Sequence, residues 1–178
     1  MMIRKKRGFS MIEVMLIFAV FTLIISVVLG VLITGKASWY MGGAHIELQQ
    51  DLRRAADWIM RELREAGSNS IVDVPPNDTG DDSWQTDITF YKPGGVVGGY
   101  ITWDLTTPIQ YTLGGLNNTQ LLRIVPNDQQ VLANNIVSFQ VRRYKSSPGI
   151  LEFDLQGQKT AAGHPISDTL TFELKLRN

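Results

Sequence analysis

The sequence predicts an α+β protein in which one long N-terminal helix packs on an antiparallel β-sheet. Three observations lead to this fold class: a long apolar run near the N-terminus, an amphipathic segment after it, and period-two alternation over the second half of the chain. The chain has 178 residues, which suits one domain attached to a single apolar helix.

The apolar run covers residues 14–33, which are 20 successive positions without a formal charge. A helix rises about 1.5 Å per residue, so this run matches a hydrocarbon core of roughly 30 Å. Four basic residues, Arg4, Lys5, Lys6 and Arg7, precede it. The positive-inside rule therefore predicts a cytoplasmic N-terminus and an extracytoplasmic C-terminal domain. No Ala-x-Ala-like site follows the run, so the pattern does not indicate an ordinary secretory signal.

A lone carboxylate, Glu13, lies at the start of the apolar run. An unpaired carboxylate in a membrane helix costs on the order of a few kcal/mol, so we expect a compensating group. In one interpretation Glu13 lies at the headgroup level, where water and the helix N-terminus stabilise an anion. In the other the carboxylate has a function. The charge pattern alone leaves both interpretations open.

The stretch RKKRGFSMIEV, at residues 4–14, resembles the class III signal of type IV pilins and type II secretion pseudopilins. The resemblance implies that a membrane-embedded prepilin peptidase cuts between Gly8 and Phe9. Residues 1–8 would then be a leader peptide, and the peptidase would methylate Phe9. Glu13 would become the fifth residue of the processed chain. In such filaments this carboxylate neutralises the N-terminal ammonium of an adjacent subunit, so the resemblance makes Glu13 the candidate assembly residue.

A second helical pattern follows at residues 46–66, where apolar residues recur every three or four positions. We expect a single helix with a transmembrane half over 9–35 and an amphipathic half over 36–67. The Gly42-Gly43 pair favours a bend, and two helices separated by a loop are the alternative. Charged residues lie mostly off the apolar face: Asp51, Arg53, Arg54, Asp57, Arg61, Glu62 and Arg64.

Period-two alternation predicts strands in the remaining β-rich domain, residues 68–178. Its expected inward-facing positions are Ile88 and Phe90; Val137, Phe139 and Val141; Leu151, Phe153 and Leu155; and Leu170, Phe172, Leu174 and Leu176. The expected separators include Gly94-Gly95, Gly98-Gly99, Gly114-Gly115, Asn117-Asn118, Asn134-Asn135 and Pro148-Gly149. Short strands joined by such turns favour an antiparallel sheet, whose apolar face would pack on residues 44–66.

The residue types present exclude several kinds of site. The sequence has no cysteine, which excludes disulfides, cysteine-ligated metals and thiol nucleophiles. His45 and His164 have no Ser, Cys or second His at motif spacing, so we expect no catalytic site and no enzymatic activity. Asp78, Asp81 and Asp82 offer oxygen ligands for calcium without the EF-hand spacing, and a solvated turn is the alternative. We expect no other cofactor.

Charge gives little reason to expect a nucleic-acid partner. The net formal charge is 0, and it falls to −4 without residues 1–8, because four of the 17 basic residues and none of the 17 acidic ones lie there. A mildly acidic chain has no general attraction for nucleic acid or anionic lipid. Arg142, Arg143 and Lys145 flank Tyr144, but three charges are too few to indicate DNA binding rather than the end of a strand.

Two further segments, residues 48–67 and 132–139, are similar to the W-type minor pilins of type IV pili and the related J-type pseudopilins. The resemblance implies a minor pilin or pseudopilin that helps to initiate or cap a filament. Its implied partners are the prepilin peptidase, the inner-membrane assembly platform, other minor and major pilins, and membrane lipid before assembly. Twitching, adhesion, DNA uptake and secretion all stay open. The alternative function is a membrane-anchored extracytoplasmic binding protein for DNA, a surface or a secretion substrate.

Overall fold

The computed structural model describes residues 10–74, 83–144 and 147–176. The elements in chain order are α1 (Met11–Leu63), β1 (Asp87–Phe90), β2 (Pro93–Val97), β3 (Tyr100–Trp103), β4 (Ile109–Gly114), β5 (Gln120–Val125), β6 (Asp128–Asn134), β7 (Ile136–Tyr144), β8 (Ser147–Ala161) and β9 (His164–Lys175). Short 3-10 turns lie at Ser68–Ser70 and Leu116–Asn118. The chain divides into two compact units, Met1–Gly42 and Gly43–Asn178.

One long helix followed by antiparallel strands confirms the predicted α+β class. The strands form a four-stranded sheet in the order β1-β4-β5-β6, a two-stranded sheet β2-β3 and a three-stranded sheet β7-β8-β9. The prediction of one sheet is therefore wrong, since the described strands form three. The chain leaves the first sheet after β6 at Asn135, a single residue with a φ of 61°. A one-residue connection is too short for a hairpin, so β7 begins a new sheet.

The helix extends through the Gly42-Gly43 pair, as the single-helix prediction requires. Two helices separated by a loop are therefore not formed. The helix ends at Leu63, four residues before residue 67, where the predicted amphipathic half ends. The amides of Glu65 and Ala66 then bond to carbonyls three residues back, the tighter pattern that often closes a helix.

In the unit Gly43–Asn178, the inner face of α1 is buried against the strands. Its fully buried side chains include Leu48, Leu52, Ala55, Ile59 and Leu63, and they share one core with residues of seven strands. Three aromatic pairs strengthen this core: Phe90 with Tyr111, Phe139 with Phe153, and Phe153 with Phe172. Burying such side chains contributes about 1.5–3 kcal/mol each, so this packing dominates the stability of the unit.

The alternation predicts most inward-facing strand positions correctly and fails at the start of β7. Val137 is 38% exposed, whereas Ile136 beside it is fully buried. The pairing with β8 shifts between Ile136 and Ser138, which marks a β-bulge. An extra residue in one strand reverses which neighbours face the core, and a period-two pattern contains no sign of it.

Glycines also occupy positions that the turn pattern does not predict. Gly94 and Gly95 are expected to separate two strands, but they lie inside β2. Gly98 and Gly99 do form a turn, between β2 and β3, with φ values of 61° and 84°. Gly157 in β8 lies directly beneath the helix. A Cβ atom there would come within 2.7 Å of Leu48 Cδ1, so any larger residue would have to displace the end of the Leu48 side chain.

Candidate functional site

The apolar segment of α1, residues 14–33, has exposed side chains along its whole length. Ile33 at its end, for example, is 71% exposed. By length and composition α1 could cross a membrane. Soluble chains rarely expose contiguous apolar surfaces of this size, so the segment needs lipid or another protein around it.

Every hydroxyl side chain between residues 14 and 34 bonds to the helix backbone. The Thr22 hydroxyl donates to the Phe18 carbonyl at 2.7 Å, and the Ser26 hydroxyl donates to the Thr22 carbonyl at 2.9 Å. The Thr34 hydroxyl donates to the Gly30 carbonyl at 3.0 Å. Because these polar atoms are satisfied within the segment, they need no water or partner in an apolar environment.

Glu13 lies in the first turn of α1 with its side chain exposed. Its backbone amide donates to the Ser10 carbonyl at 3.0 Å. Its carboxylate makes no hydrogen bond or ion pair with any residue that the structure describes. The helix N-terminus favours an anion by about 0.3–1 kcal/mol, which is less than the few kcal/mol that an apolar environment costs a carboxylate. Glu13 is therefore available to a cationic partner.

Two aromatic residues follow the apolar segment. Trp39 is 82% exposed, and the Lys36 ammonium lies 5.8 Å from the centre of the Tyr40 ring. Aromatic and basic side chains collect at the boundary between hydrocarbon and water in membrane proteins. This group fits one end of a membrane-crossing segment.

Several predicted site residues lie outside the described residues. They are the cleavage residues Gly8 and Phe9, the basic cluster Arg4, Lys5, Lys6 and Arg7, the calcium candidates Asp78, Asp81 and Asp82, and Lys145. Within the described ranges, no group of three or more His, Asp and Glu side chains could hold a metal ion. The predictions of cleavage and of calcium binding stay predictions.

Glu62, in the last turn of α1, is buried at the centre of a polar cluster between the helix and the four-stranded sheet. Arg123 of β5 donates to both carboxylate oxygens, from Nε at 2.9 Å and from Nη2 at 3.0 Å. Lys92 Nζ donates to Oε1 at 3.1 Å, and the Tyr111 hydroxyl of β4 donates to Oε2. This Glu62 cluster therefore ties the helix to the sheet through three hydrogen bonds from β4 and β5, and Lys92, in the connection between β1 and β2, adds a fourth.

The surroundings of Glu62 and Tyr111 shift the pKa values of these two groups in opposite directions. Burial raises the pKa of Glu62, but hydrogen bonds from Arg123, Tyr111 and Lys92 outweigh it and lower the pKa to about 2. Burial, together with the hydrogen bond to Glu62, raises the pKa of Tyr111 well above its usual value. No proton is exchanged near neutral pH, so the cluster suits a structural role rather than acid–base catalysis.

The predicted placement of charged residues off the apolar face fails at Glu62. Glu62 lies seven residues after Ala55 and three after Ile59, both of which are fully buried. These spacings put it on the same helix face. A carboxylate within an apolar face is the signal that would have predicted a buried, paired charge.

The basic-aromatic cluster of β7 is divided between the two faces of its strand. Arg142 donates from Nε to Glu152 Oε2 at 2.6 Å, and the Tyr144 hydroxyl donates to the same oxygen at 2.7 Å. Arg143 is buried and donates to the Ser68 carbonyl at 3.2 Å. With one arginine paired and the other buried, β7 lacks the exposed run of positive charge that a phosphate backbone attracts.

Both histidines are exposed and lie apart from any catalytic arrangement among the described side chains. His45 Nε2 is 3.2 Å from the Gln49 amide nitrogen, and His164 begins β9. Among the described residues, one carboxylate is buried and paired at Glu62, and a separate carboxylate without a described partner lies at Glu13, next to the exposed apolar segment. No protein-family model, no curated protein and no solved structure matches the chain.

Proposed function

We propose that this chain is a minor pilin or pseudopilin, a non-enzymatic subunit that helps to initiate or cap a type IV pilus or a type II secretion pseudopilus. One observation carries the proposal: residues 14–33 are exposed and apolar, and at their start lies Glu13, whose carboxylate has no partner among the described residues. In a filament, the same segments of neighbouring subunits would replace the lipid around this segment. The resemblance of residues 4–14 to a prepilin signal supports this function.

Glu13 would give the assembly its register. Cleavage after Gly8 creates a new ammonium group at Phe9, four residues before the carboxylate. In an apolar filament core, the carboxylate of one subunit and the ammonium of its neighbour would compensate each other. Removing one member of such a buried pair costs about 3–5 kcal/mol. That is enough to select the correct packing of subunits over alternatives that leave both charges unpaired.

In this function the chain begins in the bacterial inner membrane, surrounded by lipid, with its N-terminus in the cytoplasm. The prepilin peptidase removes residues 1–8, and the assembly platform then transfers the subunit into the filament beside other minor and major pilins. No catalytic or cofactor chemistry is part of this role. The 43–178 unit, with its helix fixed to the sheets, is the part exposed to other subunits and to the medium.

Intact-mass analysis and N-terminal sequencing of the chain purified from membranes test the processing step. We expect the chain to begin at a methylated Phe9. A Gly8→Val variant is the matched control, because a branched side chain at the cut should block the peptidase and leave residues 1–8 attached. A wild-type chain that also keeps its leader would instead favour a membrane-anchored extracytoplasmic binding protein outside any filament.

A further inference from the structure

A row of arginines follows the exposed face of α1, opposite the core. The arginine row comprises Arg53, Arg54, Arg61 and Arg64, with Gln50 and Asp57 among them, and all six side chains are exposed. Steps of three and four residues keep these positions on one face of a helix. Leu52 and Ile59 of the same stretch point into the core. The exposed side chains of the row therefore lie outside the hydrophobic core.

The described chain neutralises little of this charge. Arg54 Nη1 lies 3.6 Å from an oxygen of Asp51, and the Arg54 side chain is 70% exposed. Exposed pairs of this kind are worth about 0–1 kcal/mol. Arg53, Arg64 and Asp57 make no ion pair with any residue in the described ranges. Four arginines and one aspartate leave the row with an excess of positive charge that no internal contact requires.

The row also has a preordered centre. The Arg61 guanidinium stacks over the ring of Trp58, 4.6 Å from its centre. Together with Gln50, Arg53 and Asp57, these two side chains line an open groove along the helix. A stacked guanidinium loses less freedom on binding, and its planar edge can still donate two parallel hydrogen bonds to a carboxylate.

We propose that the arginine row docks an acidic, carboxylate-bearing face of a neighbouring subunit, an inference that rests on the function proposed above. Charge complementarity selects this partner. The processed chain carries a net charge of −4, since the leader holds four basic and no acidic residues, so the row is a local positive surface on an acidic protein. Subunits of that overall sign repel unless positive and negative surfaces are matched.

The pattern of charge favours a protein surface over a polyanion. Asp57 lies in the middle of the row, where it would repel the phosphates of nucleic acid or lipid. A folded partner can place a basic group opposite Asp57 and carboxylates opposite the arginines. The stretch between Lys36 and Lys92 contains no lysine, and arginine is the residue suited to paired, directional contacts with carboxylates.

Photo-crosslinking in cells tests the contact in the full-length, assembled protein. A photoreactive residue at Gln50 reports on the groove, and one at Gln130, an exposed glutamine of β6, is the matched control. We expect cross-links from Gln50, but not from Gln130, to a segment of a filament subunit that contains Asp or Glu. Cross-links from Gln50 to nucleic acid or lipid, or none at all, would overturn the proposal.

Charge reversal tests whether the contact is electrostatic. Arg53→Glu and Arg64→Glu should each lower the Gln50 cross-link yield about tenfold, because each replaces an attraction by a repulsion. Lys175→Glu changes the same charge at an exposed site on β9 and should leave the yield within about twofold. In the Arg53→Glu variant, an Asp→Arg or Glu→Arg change in the cross-linked segment of the partner should restore the Gln50 cross-link yield. Unchanged yields in both arginine variants would contradict the proposal.

The outcomes separate this inference from the proposed function. If the wild-type chain is found in filaments and Arg53→Glu is incorporated equally well, the docking proposal is contradicted and the proposed pilin function is not. A wild-type chain that retains residues 1–8 and enters no filament would overturn the pilin function, and the docking proposal with it. Circular dichroism of each variant in detergent should match the wild type, since Arg53 and Arg64 are exposed.

Discussion

Two glutamates near the two ends of α1 have opposite surroundings. Glu13 is exposed in the first turn, and no described residue pairs with its carboxylate. Glu62 is buried in the last turn and accepts hydrogen bonds from Arg123, Tyr111 and Lys92. The chain thus satisfies one carboxylate completely and leaves the other to its surroundings. Within the described ranges, the chain itself buries and pairs the second half of the helix but not the first half.

The apolar surfaces of the two halves differ in the same way. Leu48 and Ile59 are fully buried by strands of their own unit, whereas residues 14–33 are exposed throughout. Hydrophobic burial of Leu48 and Ile59 thus stabilises the fold of the chain itself. The same driving force, applied to residues 14–33, is available only for association with lipid or other molecules.

We expect the largest effect on stability when the Glu62 cluster loses its carboxylate. Glu62→Leu removes the carboxylate and leaves the half-buried Arg123 guanidinium and the buried Tyr111 hydroxyl without their acceptor, so we expect a loss of about 3–5 kcal/mol in the free energy of unfolding. Urea denaturation of the full chain in detergent, followed by tryptophan fluorescence, measures it. Asp57→Leu is the matched control on the exposed face and should change stability by about 0.5 kcal/mol or less. A loss below about 1 kcal/mol for Glu62→Leu would contradict this account.

Removing both charges should cost less than removing one. In Glu62→Leu/Arg123→Leu the cluster has no guanidinium, and the main loss comes from the Tyr111 hydroxyl, which keeps no acceptor, whereas Lys92 Nζ still has Glu65 Oε2 at 3.5 Å. We expect a total loss of about 1–3 kcal/mol. A double-mutant cycle with the two single variants measures the coupling. Purely additive losses would mean that Glu62 and Arg123 stabilise the fold independently.

Acid should weaken the Glu62 cluster, because protonation removes the charge of Glu62 without changing the size of its side chain. The pKa of Glu62 is about 2 in the folded chain against an ordinary value of 4.5, so its ionised form stabilises the fold above pH 4.5. That contribution is lost as the pH falls from about 4.5 to about 2. Denaturation of wild type and Glu62→Gln across this range should show the difference in stability shrinking. A constant difference would exclude linkage through Glu62.

We expect the smallest effect on the stability of the fold from a change at Glu13. Glu13→Leu removes no described contact, so the unfolding free energy of the 43–178 unit should change by about 0.5 kcal/mol or less. Incorporation into sheared filaments should nevertheless be strongly impaired, because the neighbouring ammonium loses its partner. Thr22→Val, which leaves the charge unchanged, is the matched control and should assemble normally. Normal incorporation of Glu13→Leu would remove the proposed role of this residue.

Local periodicity predicts the helix and most of the strands because one face of each element is buried. Leu48 to Leu63 and Leu151 to Leu155 lie in the core as the spacing of three to four and of two predicts. The exposed apolar segment and its lone carboxylate are equally visible in the sequence, since they depend on composition alone. These features could be predicted because each is local.

The features that could not be predicted depend on contacts between distant segments. Glu62 is buried because Arg123 and Tyr111, about 50 to 60 residues away, supply its hydrogen bonds. The burial of Ile136 in place of Val137 depends on a bulge against β8. The division into three sheets depends on how each hairpin pairs, which turn residues mark but do not determine.

The hydroxyls of Thr22, Ser26 and Thr34 donate hydrogen bonds within the helix, which affects how reversibly the apolar segment can exchange one apolar environment for another. Moving the segment from fatty-acyl chains to the side chains of other helices breaks none of these bonds and exchanges one set of dispersion contacts for another of similar strength. The uncharged part of the segment therefore contributes little to the direction of transfer. In the proposed pilin function, membrane and filament therefore differ chiefly in what they offer to Glu13, so a single ionisable group would decide when the subunit moves between them.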